Sequence, residues 1–183
     1  LPVPAIRPYP AQYAMTFKLA DGKPVLIRPI RPEDEPMMVE FHATLSDQSV
    51  YYRYFSALSL RQRTNHARLA RMCFVDYDRE IALVAVLDDP RSGQPAIAGV
   101  GRLCKVHGRP EAEFAVIVSD AWQRRGLGTR LLQRLVDVGR AERLTRITGV
   151  ILAENGGMRR TCEHVGFKVR PSGGPECVAE IAL

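Results

Sequence analysis

A turn between a predicted strand and a predicted helix carries the clearest chemical signal in this chain. Residues 118–132 read VSDAWQRRGLGTRLL, and Gly126 and Gly128 let backbone N–H groups approach a ligand closely. A helix that begins in this turn adds the partial positive charge of its N-terminus. Arg124 and Arg125 add guanidinium groups suited to bidentate contact with phosphate. The segment therefore predicts an anion-binding turn for a phosphorylated ligand.

Two familiar nucleotide-binding motifs do not fit this turn. A Walker loop requires G-x-x-x-x-G-K-[ST], and the chain contains no such run. A dinucleotide fingerprint requires glycine or alanine three residues after Gly128, where Leu131 stands. Neither of the corresponding folds is expected.

The elements around the turn follow from hydrophobic periodicity and turn residues. Alternation predicts strands at residues 25–30, 81–87, 96–106, 111–118 and 146–152, with a final extended segment opening at Phe167. Helical spacing predicts helices at residues 31–45, 59–72, 126–141 and 155–165, and Leu60, Leu69 and Met72 are expected to be buried. Turn chemistry between residues 81 and 118 favours an antiparallel meander. We expect an α+β domain with a mixed, mostly antiparallel sheet and helices on both faces.

Length and composition limit the function classes. The chain has 183 residues, 46% of them hydrophobic and 25% charged, which predicts one globular domain and excludes disorder as the main state. A net charge of +6 favours anionic partners. Four prolines in the first ten residues predict a linker over residues 1–20 ahead of a domain at 21–183, and the initial leucine suggests a piece of a longer protein. Without a signal peptide or long apolar run, we expect a cytoplasmic protein with no membrane partner.

The cysteines do not suggest a metal site. Cys73, Cys104, Cys162 and Cys177 form no C-x-x-C pair, and the four histidines do not cluster with them. We expect free thiols and no metal.

The signature turn resembles a known family. Residues 123–128, QRRGLG, resemble the Q/R-x-x-G-x-G/A signature of the GNAT N-acetyltransferases. VLIRPIRPEDE, FVDYDREIALVAV, AEFAVIVSDAWQRRGLG and residues 155–167 look more narrowly like the acetyltransferase domain of bacterial protein lysine acetyltransferases. The resemblance runs from about residue 24 to the end of the chain. In several of those proteins this domain follows a region similar to acyl-CoA synthetases.

That resemblance implies the GNAT fold and acetyl-CoA as the acetyl donor. The pyrophosphate would bind at the turn, the pantetheine arm would pair with the strand before it, and Asn155 and Arg159 would contact the cofactor from beyond the next strand. Arg160 could contact the ribose phosphate as Arg159 does, although a solvated helix face explains both arginines as well. The implied cofactor-binding residues are Val116, Ile117, Val118, Gln123, Arg124, Arg125, Gly126, Leu127, Gly128, Thr129, Asn155 and Arg159.

Glu113 is the predicted general base. At pH 7 roughly one lysine amine in two thousand is neutral, so attack on a thioester needs a proton acceptor. Glu113 lies ten residues before Gln123, where the similar lysine acetyltransferases place a base, and Glu111 on the same strand face ranks second. A backbone N–H near Val116 would polarise the thioester oxygen, and direct transfer without an acyl-enzyme is implied.

The proton returned to the CoA thiolate has several candidate sources in this chain. Many family members carry a tyrosine after the asparagine, but here the corresponding position is Cys162. Cys162 with His164 nearby, a water, or no group at all could serve, and a buried structural role explains Cys162 equally simply. The aromatic residues at 51–55 are expected either in the core or along the acceptor lysine.

These observations predict an acetyl-CoA-dependent N-acetyltransferase that acts on protein lysine side chains. An acyl-CoA synthetase is the first acceptor to test, because the resembling family is associated with it. The alternatives are acetylation of a small-molecule amine and a non-catalytic acyl-CoA-sensing domain. Nucleic acid is not expected as a partner, since no recognisable motif is present. Arg61, Arg63, Arg68 and Arg71 are either a basic docking edge for an acidic protein or a solvated helix face.

Overall fold

A single sheet organises the computed structural model, which describes residues 7–183. The eight strands of this described part are β1 (Met15–Lys18), β2 (Pro24–Pro29), β3 (Glu80–Asp88), β4 (Pro95–Lys105), β5 (Glu111–Val118), β6 (Arg146–Leu152), β7 (Lys168–Pro171) and β8 (Glu176–Ala182). Its helices are α1 (Glu35–Ala43), α2 (Asp47–Tyr54), α3 (Leu60–Arg63), α4 (His66–Cys73), α5 (Leu127–Ala141) and α6 (Gly156–Val165). Short 3₁₀ turns occupy Ala11–Tyr13, Pro32–Asp34 and Asp120–Trp122.

The strands are ordered β1-β2-β3-β4-β5-β6-β8-β7 in the sheet. Every neighbouring pair is antiparallel except β5 and β6, which run parallel. The parallel pair requires a crossover, and α5 provides it. The predicted α+β fold with a mostly antiparallel sheet, including the meander of β3, β4 and β5, is confirmed.

Apolar side chains pack on both faces of the sheet. On one face, α5 packs the fully buried Leu131 and Leu135 over Gly99 and Gly101 of β4. On the other face, α1 and α4 contribute Phe41 and Leu69 to a second core. Strand β5 serves both cores, because Phe114 and Val116 lie in the first and Ile117 lies in the second. Helices therefore cover both faces, as predicted.

Local capping explains where the helices differ from the prediction. The helix expected over residues 59–72 is two helices, because the Asn65 side chain accepts a hydrogen bond from Ala67 N and starts α4. The change of phase leaves Leu60 44% exposed, contrary to prediction, whereas Leu69 is buried as predicted. Helix α2 was not predicted, and the Ser46 side chain caps it by accepting from Ser49 N.

Part of the predicted linker belongs to the sheet. Strand β1 pairs with β2, and Tyr13 lies in the first core with 6% of its surface exposed. Residues 1–6 of that linker lie outside the described residues. Within residues 7–183, no helix is long and apolar enough to cross a membrane. The same residues contain no cluster of three or more His, Cys, Asp or Glu side chains that could bind a metal.

Candidate active site

The sheet opens between its two parallel strands. Strands β5 and β6 pair only through Glu111, Ala112 and Glu113, and the last pair joins Glu113 to Thr148. Beyond it, the Phe114 ring lies against Gly149, where an added Cβ would overlap the ring. Glycine at 149 therefore leaves room for an aromatic wedge between the strands. From residue 114 onward, β5 pairs with β4 alone in the described structure, and its other backbone edge is free.

A cleft of about 1170 Å³ occupies this opening and extends to both ends of the free edge. One end reaches the signature turn and the N-terminal turn of α2, and the other lies beside Glu113 and Cys104 at the end of β4. Strand β6 and the first turns of α6 close the far side. Its polar and charged lining side chains are Gln48, Ser49, Tyr52, Arg53, Cys104, Glu113, Gln123, Arg124, Thr129, Glu154, Asn155, Arg160, Thr161 and His164.

The signature turn presents backbone amides to the cleft. Arg124 and Gly126 both have left-handed backbone conformations, with φ of 59° and 83°. Such alternation is typical of anion-binding backbone concavities. Gly126 precedes α5, no side chain caps this helix, and the space around an added Cβ at Gly126 is open. The first amides of α5 and its dipole are therefore available to a phosphate.

Hydrogen bonds fix this turn to α2. The Asp120 carboxylate accepts from Ser46 N at 2.9 Å and from Ser46 Oγ at 2.7 Å. Gln123 Nε2 donates to Ser49 Oγ and to the Val118 carbonyl, each at 3.0 Å. Burial alone would raise the pKa of Asp120, but hydrogen bonds from Ser46 and Ser49 lower it below its usual value. The anion-binding turn and the N-terminal turn of α2 are thus held in one geometry.

The family model for the acetyltransferase (GNAT) domain matches residues 25–168. The chain belongs to the GNAT acetyltransferases. This membership agrees with the predicted family and with the order of elements around the cleft.

Individual relatives cover most of the chain. An acetyltransferase of Pseudomonas aeruginosa is 30% identical over 149 residues, which are 81% of this chain and 77% of that protein. Acetyltransferase Pat of Mycolicibacterium smegmatis is 26% identical and covers 88% of this chain, but the match spans only 44% of the mycobacterial protein. The crystal structure of the GNAT domain of S. lividans PAT covers 96% of this chain and 99% of its own, with 26% identity and a TM-score of 0.83. M. smegmatis RimJ in complex with CoA-disulfide shares the fold, with 17% identity, a TM-score of 0.71 and coverage of 92% and 86%.

GNAT acetyltransferases use acetyl-CoA, and the open edge and uncapped turn fit that ligand. Nine of the twelve predicted cofactor-binding residues line the cleft, namely Val116, Ile117, Val118, Gln123, Arg124, Gly126, Gly128, Thr129 and Asn155. The Asn155 side-chain oxygen accepts from Met158 N at 3.1 Å and so caps α6. Its amide group remains at the cleft surface.

Three predicted cofactor-binding side chains lie elsewhere. Arg125 contacts the Trp122 ring at 4.9 Å and pairs with Asp21 at 3.6 Å. Leu127 is 1% exposed in the first core. Arg159 donates to the Ala153 carbonyl at 3.3 Å, whereas its neighbour Arg160 lines the cleft. Arg125 and Leu127 can still offer the backbone amides of the turn, and Arg160 is the arginine of α6 that lines the cleft.

The two candidate bases on β5 differ in surroundings. Glu113 is exposed and lines the cleft at the point where β5 and β6 separate. Glu111 is engaged instead, because its carboxylate accepts from Arg146 Nη2 at 2.8 Å, and it does not line the cleft. Of the two candidate bases, Glu113 alone lines the cleft, and its role stays a prediction.

Cys162 is not brought to the cleft. Its side chain has no exposed surface and lies in the first core, and burial raises the pKa of its thiol to about 12. On α6 the cleft is lined instead by Thr161 and by the exposed His164. A buried thiol of this kind is suited to packing and not to protonating a ligand in the cleft.

The GNAT cleft also holds residues that sequence reasoning missed. Gln48, Ser49 and Arg53 come from α2, with Ser49 next to the signature turn, and Cys104 comes from β4 opposite Glu113. The available signal was Ser46, a capping residue type at the start of a helix-length segment. The aromatic run at 51–55 divides, since Tyr52 and Phe55 line the cleft while Tyr54 packs against the second core.

Proposed function

We propose that this protein transfers the acetyl group of acetyl-CoA to a lysine side chain of a protein, with Glu113 as the general base. The observation that carries the proposal is the position of Glu113. It lies in the cleft at the last residue of β5 that pairs with β6, next to the free edge that begins at residue 114. An acceptor amine that reaches this point would meet a carboxylate and an exposed strand edge together.

Glu113 answers the main chemical requirement of the reaction. The lysine amine is mostly protonated at neutral pH, so a proton must leave before or during attack. The protonated amine first loses one proton to Glu113. The neutral nitrogen then bonds to the acetyl carbonyl carbon, the C–S bond breaks with its electron pair on sulfur, and the second proton of the nitrogen passes through water to the CoA thiolate. Because Glu113 is exposed, it can accept this proton directly or through one water.

Backbone groups of this chain supply the remaining functions. Acetyl-CoA provides a thioester, whose carbonyl oxygen gains negative charge during attack. An N–H on the free edge of β5 near Val116 can stabilise that charge, as oxyanion sites do. The amides of residues 124–129 and the Arg124 and Arg160 guanidiniums can hold the phosphates. We assign no proton transfer to the buried Cys162.

The character of the cleft supports a protein acceptor over a polycationic small molecule. A polycation would favour a cleft rich in carboxylates, but only Glu113 and Glu154 contribute them among the described lining residues. Arg53 lies instead at the acceptor end, which is the end of the cleft beside Glu113 and Cys104. The resemblance of the chain to bacterial protein lysine acetyltransferases points the same way, and we choose an acyl-CoA synthetase as the first acceptor.

The test compares Glu113→Gln with the matched control Glu111→Gln. CoA release is measured with acetyl-CoA and a full-length acyl-CoA synthetase, and mass spectrometry locates the acetyl group. We expect Glu113→Gln to lower kcat by about 10²- to 10³-fold, the range typical of a general base, with acetyl-CoA affinity retained. Glu111→Gln should change kcat little, because that carboxylate pairs with Arg146 away from the cleft.

Other results would redirect the proposal. Transfer undiminished by Glu113→Gln would remove Glu113 as the base while leaving the enzyme class intact. Acetylation of small amines but of no protein would favour the small-molecule alternative. Tight acetyl-CoA binding with no transfer to any amine would identify an acyl-CoA-sensing domain.

A further inference from the structure

Of three arginines beside the acceptor end of the cleft, only one pairs with a carboxylate in the described structure. This arginine cluster consists of Arg53 on α2, Arg68 on α4 and Arg102 on β4. Arg102 Nε donates to Glu80, the one carboxylate that contacts the cluster within the described residues. Arg53 and Arg68 form no ion pair or side-chain hydrogen bond there, and their guanidiniums instead lie 4.9 and 5.1 Å from the centre of the Tyr54 ring.

Buried polar atoms of the cluster lack partners. Arg102 is 8% exposed, and its Nη1 has no hydrogen-bond partner, nor does the buried Nε of Arg68. His42, 1% exposed, leaves both ring nitrogens without one. Unmatched buried donors of this kind are rare in folded proteins. The three arginines make this corner of the molecule strongly electropositive, because their guanidinium groups remain protonated.

A small cavity separates these buried groups from the cleft. It is lined by His42, Arg53 and Arg102 among apolar side chains, and it shares Arg53 and Ile117 with the cleft. Its volume of about 10 Å³ suits one water molecule and is too small for a carboxylate. Arg53 is therefore the member of the cluster that can meet a ligand, from its cleft side.

Arg53 also lies close to the reacting end of the cleft. Arg53 lines the cleft together with Glu113 and with Cys104, which pairs with Glu113 across β4 and β5. Burial lowers the pKa of Arg53, Tyr54 partly offsets this, and Arg102 and Arg68 lower it further. No ion pair in the described structure joins Arg53 to Glu113. A negative group from outside would relieve the repulsion among the three arginines.

We propose that the acceptor protein presents a carboxylate side chain beside the lysine that is acetylated, and that Arg53 binds this carboxylate. The inference rests on the proposed function, because it assumes a protein lysine as the acceptor. Arg53 supplies a bidentate contact, while Arg68 and Arg102 strengthen the local field without touching the acceptor. The substrate class is thus an acidic peptide segment around a lysine, and Arg53 is a specificity-determining residue.

Matched peptides test this assignment. Each peptide carries one lysine, flanked by glutamate in the first, glutamine in the second and arginine in the third, and kcat/KM is measured for each. We expect the glutamate peptide to exceed the glutamine peptide by about tenfold, mainly through KM, as a charge-assisted contact predicts. The arginine peptide should be the poorest substrate, because the cluster repels it.

Variants of Arg53 separate this contact from general charge effects. Arg53→Gln should abolish the preference for glutamate, Arg53→Lys should retain part of it, and Arg53→Glu should favour the arginine peptide. The control Arg61→Gln removes an exposed arginine of α3 outside the cleft and should leave the preference unchanged. Circular dichroism and acetyl-CoA affinity confirm that each variant is folded.

The outcomes distinguish the two proposals. Equal acetylation of all three peptides, or a preference that survives Arg53→Gln, would overturn the role of Arg53 while lysine acetylation stands. Acetylation of small amines with no acetylated peptide or protein lysine would overturn the proposed function, and the acidic acceptor with it.

Discussion

Strand β4 contributes a cation to each of two charged clusters on opposite faces of the sheet. Lys105 joins one cluster and Arg102 the other, and their odd spacing along the strand directs them to opposite faces. In the first cluster one enclosed carboxylate contacts both cations. In the second, the arginine cluster defined above, only one of three arginines contacts a carboxylate, and the cluster opens toward the cleft.

The first group, the Glu142 cluster, consists of Arg7, Tyr13, Lys105 and Glu142. The Glu142 carboxylate accepts from Arg7 Nη1 at 2.7 Å, from Lys105 Nζ at 2.8 Å and from the Tyr13 hydroxyl. Its side chain is 7% exposed. Burial alone would raise the pKa of Glu142, but hydrogen bonds from Arg7, Lys105 and Tyr13 lower it to about 2. The cluster joins the N-terminal segment, β4 and the residue after α5.

The contrast indicates that the Glu142 cluster serves folding stability, whereas the arginine cluster serves ligand recognition. An enclosed acid with several donors stabilises the folded state, and removing it leaves cations buried without a partner. An open cluster with surplus charge contributes little to folding, because its members already repel one another. That surplus is available to a ligand. Substitutions in the two clusters should therefore affect different observables.

The largest expected effect is a loss of stability in Glu142→Gln. We expect the free energy of unfolding to fall by about 3 kcal/mol, because Arg7 and Lys105 lose the carboxylate between them. Chemical denaturation followed by circular dichroism measures the change. Asp137→Asn is the control, since its carboxylate is half exposed and its pairs with Arg134 and Arg140 are long, so a change within about 0.5 kcal/mol is expected.

Acid should remove most of this difference. The pKa of Glu142 is depressed from 4.5 to about 2 in the folded state, so its stabilising contribution is present above pH 4.5 and is lost as the pH falls toward 2. We expect the stability curves of wild type and Glu142→Gln to converge over that range. Parallel curves from pH 6 to pH 2 would mean that Glu142 acts through packing and not through its charge.

The two clusters also differ from the signature turn in how far the sequence reveals them. The turn and the helical face of α5 are local, so residues 118–132 alone predict the anion site, and the alternation along β5 predicts the strand face on which Glu113 lies. Arg53 and Glu142 become significant only through neighbours that are distant in sequence, which are Arg68 and Arg102 in one case and Arg7 in the other. No spacing rule links such residues.

Cys162 shows that a residue singled out by its position in the sequence can lie outside the site. Counting from Asn155 places it at a position where family members carry a functional tyrosine, but the rotation of α6 directs its side chain into the first core. A single residue such as Ser46 can indicate a helix cap. The helix that Ser46 begins was nevertheless missed, because it lacks a strong apolar period. Periodicity predicts elements well, and it predicts the contents of a cleft only where they share one segment.

A smaller effect is expected at His42, which packs behind the arginine cluster. Burial, with Arg63, Arg68 and Arg53, lowers the pKa of His42 from 6.5 to about 4. The unfolded chain takes up a proton below pH 6.5 and the folded protein does not, so the stability of the wild type should decline between pH 6.5 and 4. We expect His42→Leu to remove about 2 kcal/mol of this decline in denaturation curves across that range.

The control for His42 is the exposed His66. Its imidazole pairs with Glu35 at 2.5 Å with 83% of the side chain exposed, so His66→Gln should leave the decline between pH 6.5 and 4 in place. If His42→Leu keeps the full wild-type decline, protonation of other groups must cause it. The positive charge around His42 would then not lower the free energy of unfolding in acid.

The smallest expected change in stability is that of Arg53→Gln. The substitution removes a contact between the guanidinium and the Tyr54 ring, and it also relieves repulsion from Arg68 and Arg102. These effects oppose each other, so the free energy of unfolding should change by no more than about 0.5 kcal/mol. Denaturation beside Glu142→Gln measures this change under identical conditions.

A loss of stability comparable to that of Glu142→Gln would make Arg53 a structural residue, and the division between a stabilising cluster and a recognising cluster would fail. A near-zero change, together with a lost preference for acidic peptides, would assign the surplus charge to the acceptor, because the same side chain would then matter for binding and not for folding.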